Sequence, residues 1–157
     1  MNQPSDIHFF VPGIPRPGGS KNAFAFRRKD GSLGARVTDA GKHTKKWREC
    51  IAAAARRAYD GPPLTGPLAI VMIAYMPRPK GHYGTGRNAN KLKATAPAFH
   101  LIKPDATKLL RAAEDAMTGI IWKDDSQVVR QEVEKLYANA AAQIGLHVLV
   151  MSAEKGQ

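Results

Sequence analysis

Hydrophobic residues fall in short blocks along this chain, and the period of the blocks changes from one to the next. Ile7 to Val11 is a β-branched and aromatic run stopped by Pro12-Gly13, which predicts a strand. The stretch PGIPRPGGSKNAF crowds prolines and glycines around Arg16 and Lys21, and predicts a surface loop over residues 13–24. Such a loop is either a plain connection or a place where backbone N–H groups and basic side chains approach phosphate. From Thr44 to Tyr59 the period lengthens. Trp47, Ile51, Ala54, Ala55 and Ala58 recur at helical spacing, with Lys45, Lys46, Arg48, Arg56 and Arg57 mostly off that face. Asp60-Gly61-Pro62-Pro63 ends this helix. Pro67 to Met76 is apolar throughout and predicts a central strand closed by Pro77.

Residues 77–99 are rich in Pro, Gly, Asn and Lys, and predict a flexible loop; a loop of this length without structure of its own is usually functional or disordered. Tyr83 within it is a candidate for stacking on a base. A second helix is expected from about Ala106 or Thr107 to Thr118: Pro104 disfavours helix at Lys103, Asp105 stands where an N-cap belongs, and Gly119 follows as the stop. Leu109, Ala112, Ala113, Ala116 and Ile120 share its apolar face, while Thr107, Arg111, Glu114 and Asp115 lie opposite. Gln127 to Tyr137 sets Val129, Val133 and Tyr137 against Arg130, Glu132 and Glu134, as a strand would, although Val129, Val133 and Leu136 also suit a helix. Ile144 to Met151 is a clearer strand, and the small residues around Asn139 allow one to turn into the other. No internal repeat or second domain is visible. A single domain over residues 1–157 is expected, with a flexible tail at 152–157.

Charge changes the picture. Lys and Arg number 24 against 13 acids, a formal charge of +11. A balance this lopsided favours a polyanion, bound through phosphate neutralisation and counterion release. Between Gly61 and Pro104 there is no acid at all. Candidate DNA contacts are Arg16 and Lys21 in the first loop, Arg78, Lys80, Arg87, Lys91 and Lys93 in the second, and Lys103 and Lys108 beyond it. A further basic group runs from Arg27 to Arg48. No apolar run is long enough to span a bilayer and the N-terminus lacks a signal-peptide pattern. The single Cys50 fits a reducing interior, so a cytoplasmic setting is expected and no membrane partner.

Against this background Asp105, Glu114, Asp115, Asp124 and Asp125 crowd into one short stretch. Each has an ordinary explanation: Asp105 as a cap, Glu114 paired with Arg111, Asp124-Asp125 opening a turn. Converging within a few ångströms, they would repel unless a cation sat among them. Mg²⁺ suits hard oxygen ligands and retained waters, and a basic protein with a Mg²⁺ site suggests phosphodiester chemistry. The phosphate-binding GxxxxGK[ST] loop is absent, so no nucleotide cofactor is expected. CxxC and HExxH are absent too.

The stretch KPDATKLLRAAEDAMTGIIWKDDSQVV resembles the signature of the RusA family of Holliday junction resolvases, roughly KPDxDNLxKxxxDALxG…DDxQV. Lys103-Pro104-Asp105, Leu109, Asp115-Ala116, Gly119, Asp124-Asp125 and Gln127-Val128 carry the likeness over residues 103–128. The resemblance implies a small α/β (α+β) domain with a mixed sheet and two main helices, working as a homodimer. It implies Mg²⁺-dependent nicking of four-way DNA junctions, with Mn²⁺ able to substitute, leaving 5′-phosphate and 3′-hydroxyl ends in bacterial or phage recombination and repair. Asp105 and Asp125 would be catalytic metal-binding acids, with Asp124 and Asp115 as neighbouring ligands and Arg111 in the place of a functional lysine. Arg keeps the charge there but cannot give up a proton.

One position departs. The family's second acid is here Thr107, and the Asn after it is Lys108. Glu114 lies within about 20° of Thr107 on the helix and about 10 Å further along it. It is therefore the expected replacement ligand and a candidate catalytic residue. The rival function is a junction- or duplex-binding protein that is weak or inactive in catalysis. An RNA-binding domain is disfavoured by the low aromatic content and the lack of an RNP-like motif.

Overall fold

A computed structural model describes residues 6–19, 21–39 and 41–153. Strands β1 (Ile7–Pro12), β2 (Lys21–Arg27) and β3 (Leu33–Asp39) precede helix α1 (Lys42–Ala58). Then come β4 (Leu68–Met76), helix α2 (Ala106–Met117), β5 (Val128–Tyr137) and β6 (Gly145–Ser152). The main sheet has the order β1-β6-β4-β5, so β4 is central as its apolar run requires. β4 pairs antiparallel with β6 and parallel with β5, giving a mixed sheet in an α+β domain. Leu68, Ile70, Met72, Ala74 and Met76 face the helices and are buried, and the apolar stripes of α1 (Trp47, Ile51, Ala54, Ala55) and α2 (Leu109, Ala112, Ala113, Ala116, Met117) close over them. Burial of each larger side chain contributes about 1.5–3 kcal/mol.

Several expectations need correction. Residues 127–137 form a strand, but β5 and β6 do not turn into one another. β4 lies between them, because the path β4–α2–β5 is a parallel crossover and leaves the other edge of β4 for β6. The register jumps from Leu68 opposite Val128 to Ala69 opposite Arg130. The bulge leaves Val129 unpaired and exposed, away from Val133 and Tyr137. Lys21 begins a strand and not the end of a loop: β2 and β3 form a hairpin over a stretch with no expected element.

The segment 77–99 is not a structureless flexible loop. It folds into single 3₁₀ turns at Lys80–His82 and Gly86–Asn88, tied by backbone bonds from Gly84 to Lys91 and from Lys93 to His82. Ser152 ends β6 and Ala153 is buried, its N–H donating to Pro67 O, so the expected tail does not begin at 152; residues 154–157 lie outside the described residues. Among the described residues no helix is long and apolar enough to cross a membrane.

Candidate nuclease site along helix α2

Helix α2 carries the candidate site along its solvent side, and its two ends differ. Asp105 occupies the N-cap position with extended backbone, yet its carboxylate makes no capping bond. Its side chain is 59% exposed and stands 3.8 Å from Lys108 Nζ. What is fixed here is the backbone leading to it. Lys135 Nζ, projecting from β5, donates to Ile102 O at 2.9 Å and Pro104 O at 2.7 Å. The Pro/Gly loop after β1 closes on the same helix through a bond from Gly18 N–H to Lys108 O. A Cβ at Gly18 would come within 2.9 Å of Ala112 Cα, so only glycine allows this approach. Gly19 (φ +78°) lies against the Arg111 side chain, bringing the loop over the guanidinium.

At the other end the carboxylate itself is gripped. α2 stops at Met117, with Thr118 as C-cap and Gly119 (φ +81°) reversing the chain. The turn drives Trp122 fully into the core, where its Nε1–H donates to Asp125 Oδ1 at 3.0 Å. The Thr118 hydroxyl donates to the same oxygen. Asp125 Oδ2 takes no hydrogen bond from the described residues, and the residue is exposed. Asp124 has a different job: its Oδ1 accepts from Ser126 N–H and caps the 3₁₀ turn Asp125–Gln127, and the Ser126 hydroxyl first and its N–H second hold the carboxyl's proton affinity below the usual carboxylate range.

Glu114 sits between these ends, half-buried. It is not the solvent-facing partner of Arg111. Its Oε1 accepts from Gln131 Nε2, a β5 side chain on the helix-facing side of the strand. Burial raises its proton affinity above that of an ordinary glutamate; the Gln131 bond opposes this, while the nearby charges of Asp125 and Asp115 add to it and Arg111 subtracts. Asp115 leans instead toward α1, 3.8 Å from Arg48.

The expected convergence of all these acids does not occur within one chain. Among the described residues no group of three His, Cys, Asp or Glu stands close enough to hold a metal ion. Helix length is the reason. Asp105 and Thr118 cap a helix of 12 residues, so roughly 20 Å of axis separates Asp105 from Thr118, to whose hydroxyl the Asp125 carboxylate is bonded. Asp125 lies near enough to Glu114 for the two charges to repel one another. Such a pair suits Mg²⁺, which takes one or two carboxylates and fills its other positions with waters and substrate phosphate.

The sequence profile of the Endodeoxyribonuclease RusA family matches residues 15–148, from the Pro/Gly loop through the first half of β6. The chain belongs to the RusA family. It is also 32% identical to YqaN of Bacillus subtilis (strain 168), described as an uncharacterized protein, over 98 residues that make up 60% of this chain and 66% of that relative.

The chain keeps Asp105 at the N-cap of α2 and Asp125 in the 3₁₀ turn beyond the helix's C-terminal end, with Thr107 exposed on the first turn. Thr107, Lys108, Arg111, Glu114 and Gln131 line one shallow depression with Gly18 and Gly19. A larger groove of about 630 Å³ opens beside Asp105, with Ile14, Pro15, Pro77 and Ile102 as apolar walls and Arg16, Lys103 and Lys108 as cations. His100 lines it too, buried and with Nδ1 lacking a partner among the described residues.

The basic residues do not all point at a ligand. Arg78 is taken up by the fold: it donates to Ala138 O, Pro97 O and Asn139 Oδ1, and lies 5.2 Å from the Tyr137 ring centre. Lys93 Nζ donates to Gly81 O. Lys80, Arg87, Lys91 and Lys103 are exposed, and the side chain of Lys21 lies outside the described residues. Thr118, Trp122 and Gln131 escaped sequence reasoning. Thr118 and Trp122 flank the helix stop, and only the turn between them reveals that both face Asp125.

Proposed function

We propose that this RusA member is a Mg²⁺-dependent endonuclease of four-way DNA junctions whose catalytic sites are completed by a second copy of the chain. The observation that carries the proposal is Asp125, held by buried Trp122 Nε1–H and Thr118 beside a half-buried Glu114, on a protein of charge +11. Asp125 Oδ2 and the second Glu114 oxygen would hold the ion. When bound, the ion supplies a Lewis acid and an activated water for phosphodiester cleavage, leaving 5′-phosphate and 3′-hydroxyl ends. Arg111, next to Glu114 and under Gly19, binds the scissile phosphate and balances its developing charge. Lys108 and Lys103 position the strand.

The separation of Asp105 and Asp125 supports the homodimer of this proposal. A carboxylate about 20 Å away along a rigid helix does not share an ion with its own chain's Asp125, but the partner's Asp105 can. Apolar side chains stand bare beside both acids: Phe99 (55% exposed), Leu101 (84%) and Ile102 (64%) before Asp105, and Val129 (64%) after Asp125. An isologous two-fold pairing would cover both patches at once and give two sites for two opposed cuts.

Thr107, where the family has an acid, favours a second reading: junction binding without catalysis. A nicking assay on a synthetic four-way junction in Mg²⁺ decides. Paired symmetric nicks are expected from the native chain, and a loss of at least about 10²-fold from Asp105→Asn and Asp125→Asn with binding retained. Tight junction binding by the native chain with no nicks, in Mg²⁺ or Mn²⁺, would leave only the second reading.

A further inference from the structure

The β2–β3 hairpin stands off the body of the protein. Among the described strands β2 and β3 pair only with each other. From Ala23 to Arg36 every residue is exposed except Gly34, and Gly34 is covered by the hairpin's own Phe26, whose Cζ would lie 2.8 Å from a Cβ added there. Between Ala23 and Arg36 both faces of the ribbon are thus in solvent. An isolated two-stranded hairpin is marginally stable at best, so this one lacks a surface to pack on.

Its chemistry says which surface. Phe24 (57% exposed) and Phe26 (45%) share one face, with Arg36 directly across from Phe24. Arg27, Arg28 and Lys29 crowd the tip, all exposed. The acid at the tip, Asp30, is occupied locally: Ser32 N–H and Oγ–H both donate to its Oδ1, at 2.9 and 2.6 Å. With Arg28 N–H donating to Ser32 O at 2.8 Å, these bonds give the turn a defined shape and leave the cations facing outward. Strands of 7 residues reach roughly 24 Å. A two-stranded ribbon of this kind fits a DNA groove, and exposed apolar rings beside cations are the chemistry of a wedge between base steps.

We infer that the β2–β3 hairpin is a DNA arm that inserts at the branch point of a junction, with Phe24 and Phe26 against unstacked bases and Arg28 and Lys29 on the flanking phosphates. This rests on the branched-DNA reading above. At a branch point stacking is already interrupted, so an apolar wedge enters there at less cost than in continuous duplex. The arm therefore discriminates structure, while the other basic residues supply general affinity.

Binding is measured in EDTA, so that no strand is cut, on a four-way junction carrying 2-aminopurine at the branch and on a linear duplex of matched sequence. The F24A/F26A variant is expected to lose about tenfold or more in junction affinity and the 2-aminopurine response, with duplex affinity within about twofold. The R28A/K29A variant should weaken both and reduce the salt slope by about 2. Both pairs are exposed and removed from the core, and thermal unfolding of the body should be unchanged. Junction binding and 2-aminopurine response of F24A/F26A equal to those of the native chain would overturn the arm. So would a change from dimer to monomer in sedimentation with equal losses on both DNAs, because the rings would then cover a second copy. Nicking is scored separately: a native chain that never nicks but shows the arm effects refutes the nuclease reading alone.

Discussion

The two ends of α2 solve opposite problems. At the Asp125 end the fold grips the carboxylate, with Trp122 and Thr118 donating to one oxygen and Gln131 donating to the neighbouring Glu114. At the Asp105 end it grips the backbone and leaves the carboxylate loose. Lys135 holds Ile102 and Pro104, Gly18 holds Lys108, and Arg78 braces the groove wall through Ala138 and Pro97. A preorganised acid is useful where it must hold charge in a fixed place. A loose acid on a rigid platform is useful where something else must complete its surroundings, and in the proposed dimer that is the partner's Asp125 end.

The largest effect should come from loosening the gripped end. Thr118→Val with Trp122→Phe deletes both donors to Asp125 while keeping most of the packed volume. Losing outer-shell partners of this kind is expected to lower junction nicking about 10- to 100-fold with junction affinity unchanged. Nicking at the native rate would show that the grip is structural only. At the loose end the corresponding change should appear in stability. Arg78→Ala strips donors from Ala138 O and Pro97 O and is expected to cost about 1–3 kcal/mol in urea unfolding, with the salt dependence of DNA binding unchanged. Arg87→Ala should do the reverse, leaving stability alone and reducing the salt slope by about 1. If Arg78→Ala also flattened the slope, its guanidinium would be a phosphate contact after all.

The smallest effect is a pH dependence at the Asp105 end. Burial, then the nearby Lys135 charge, holds the proton affinity of His100 below that of a free histidine. The folded state thus favours the neutral ring. Stability from this group is fully present above the unfolded value near 6.5 and is lost as pH falls below it. His100→Gln should flatten the fall in stability between pH 7 and 5. A steeper fall in the variant would reverse the sign and place the charged ring in a favourable site.

How much of this was legible in the sequence depends on how local the cause is. α1, β4 and α2 follow from uninterrupted periodicity and from Pro and Gly at their ends, so residue spacing suffices. The β2–β3 hairpin was missed because Ala-Phe-Ala-Phe alternates weakly and its neighbours are basic, leaving no buried face to mark it. The order of β4, β5 and β6 depends on a crossover, which spacing does not encode. At the site, the signature around Asp105 and Asp125 reveals the acids, but not their separation by the full length of α2. Nor does it reveal that Glu114 meets Gln131, because that contact joins a helix to a strand across the packed interface. Arg78 illustrates the same limit: a cation in a basic stretch looks like a DNA contact until its carbonyl partners are seen.

The shared site is tested most directly by mixing two dead proteins. Asp105→Asn and Asp125→Asn homodimers each lack one acid in both sites. In a mixed dimer one site carries both substitutions, while the other joins the native Asp105 of one chain to the native Asp125 of its partner. After exchange of subunits the mixture is expected to nick junctions in Mg²⁺, one strand at a time, where neither protein alone does. A mixture as inactive as its components, with exchange verified by a tagged chain, would mean that each chain holds its own site and would contradict the account.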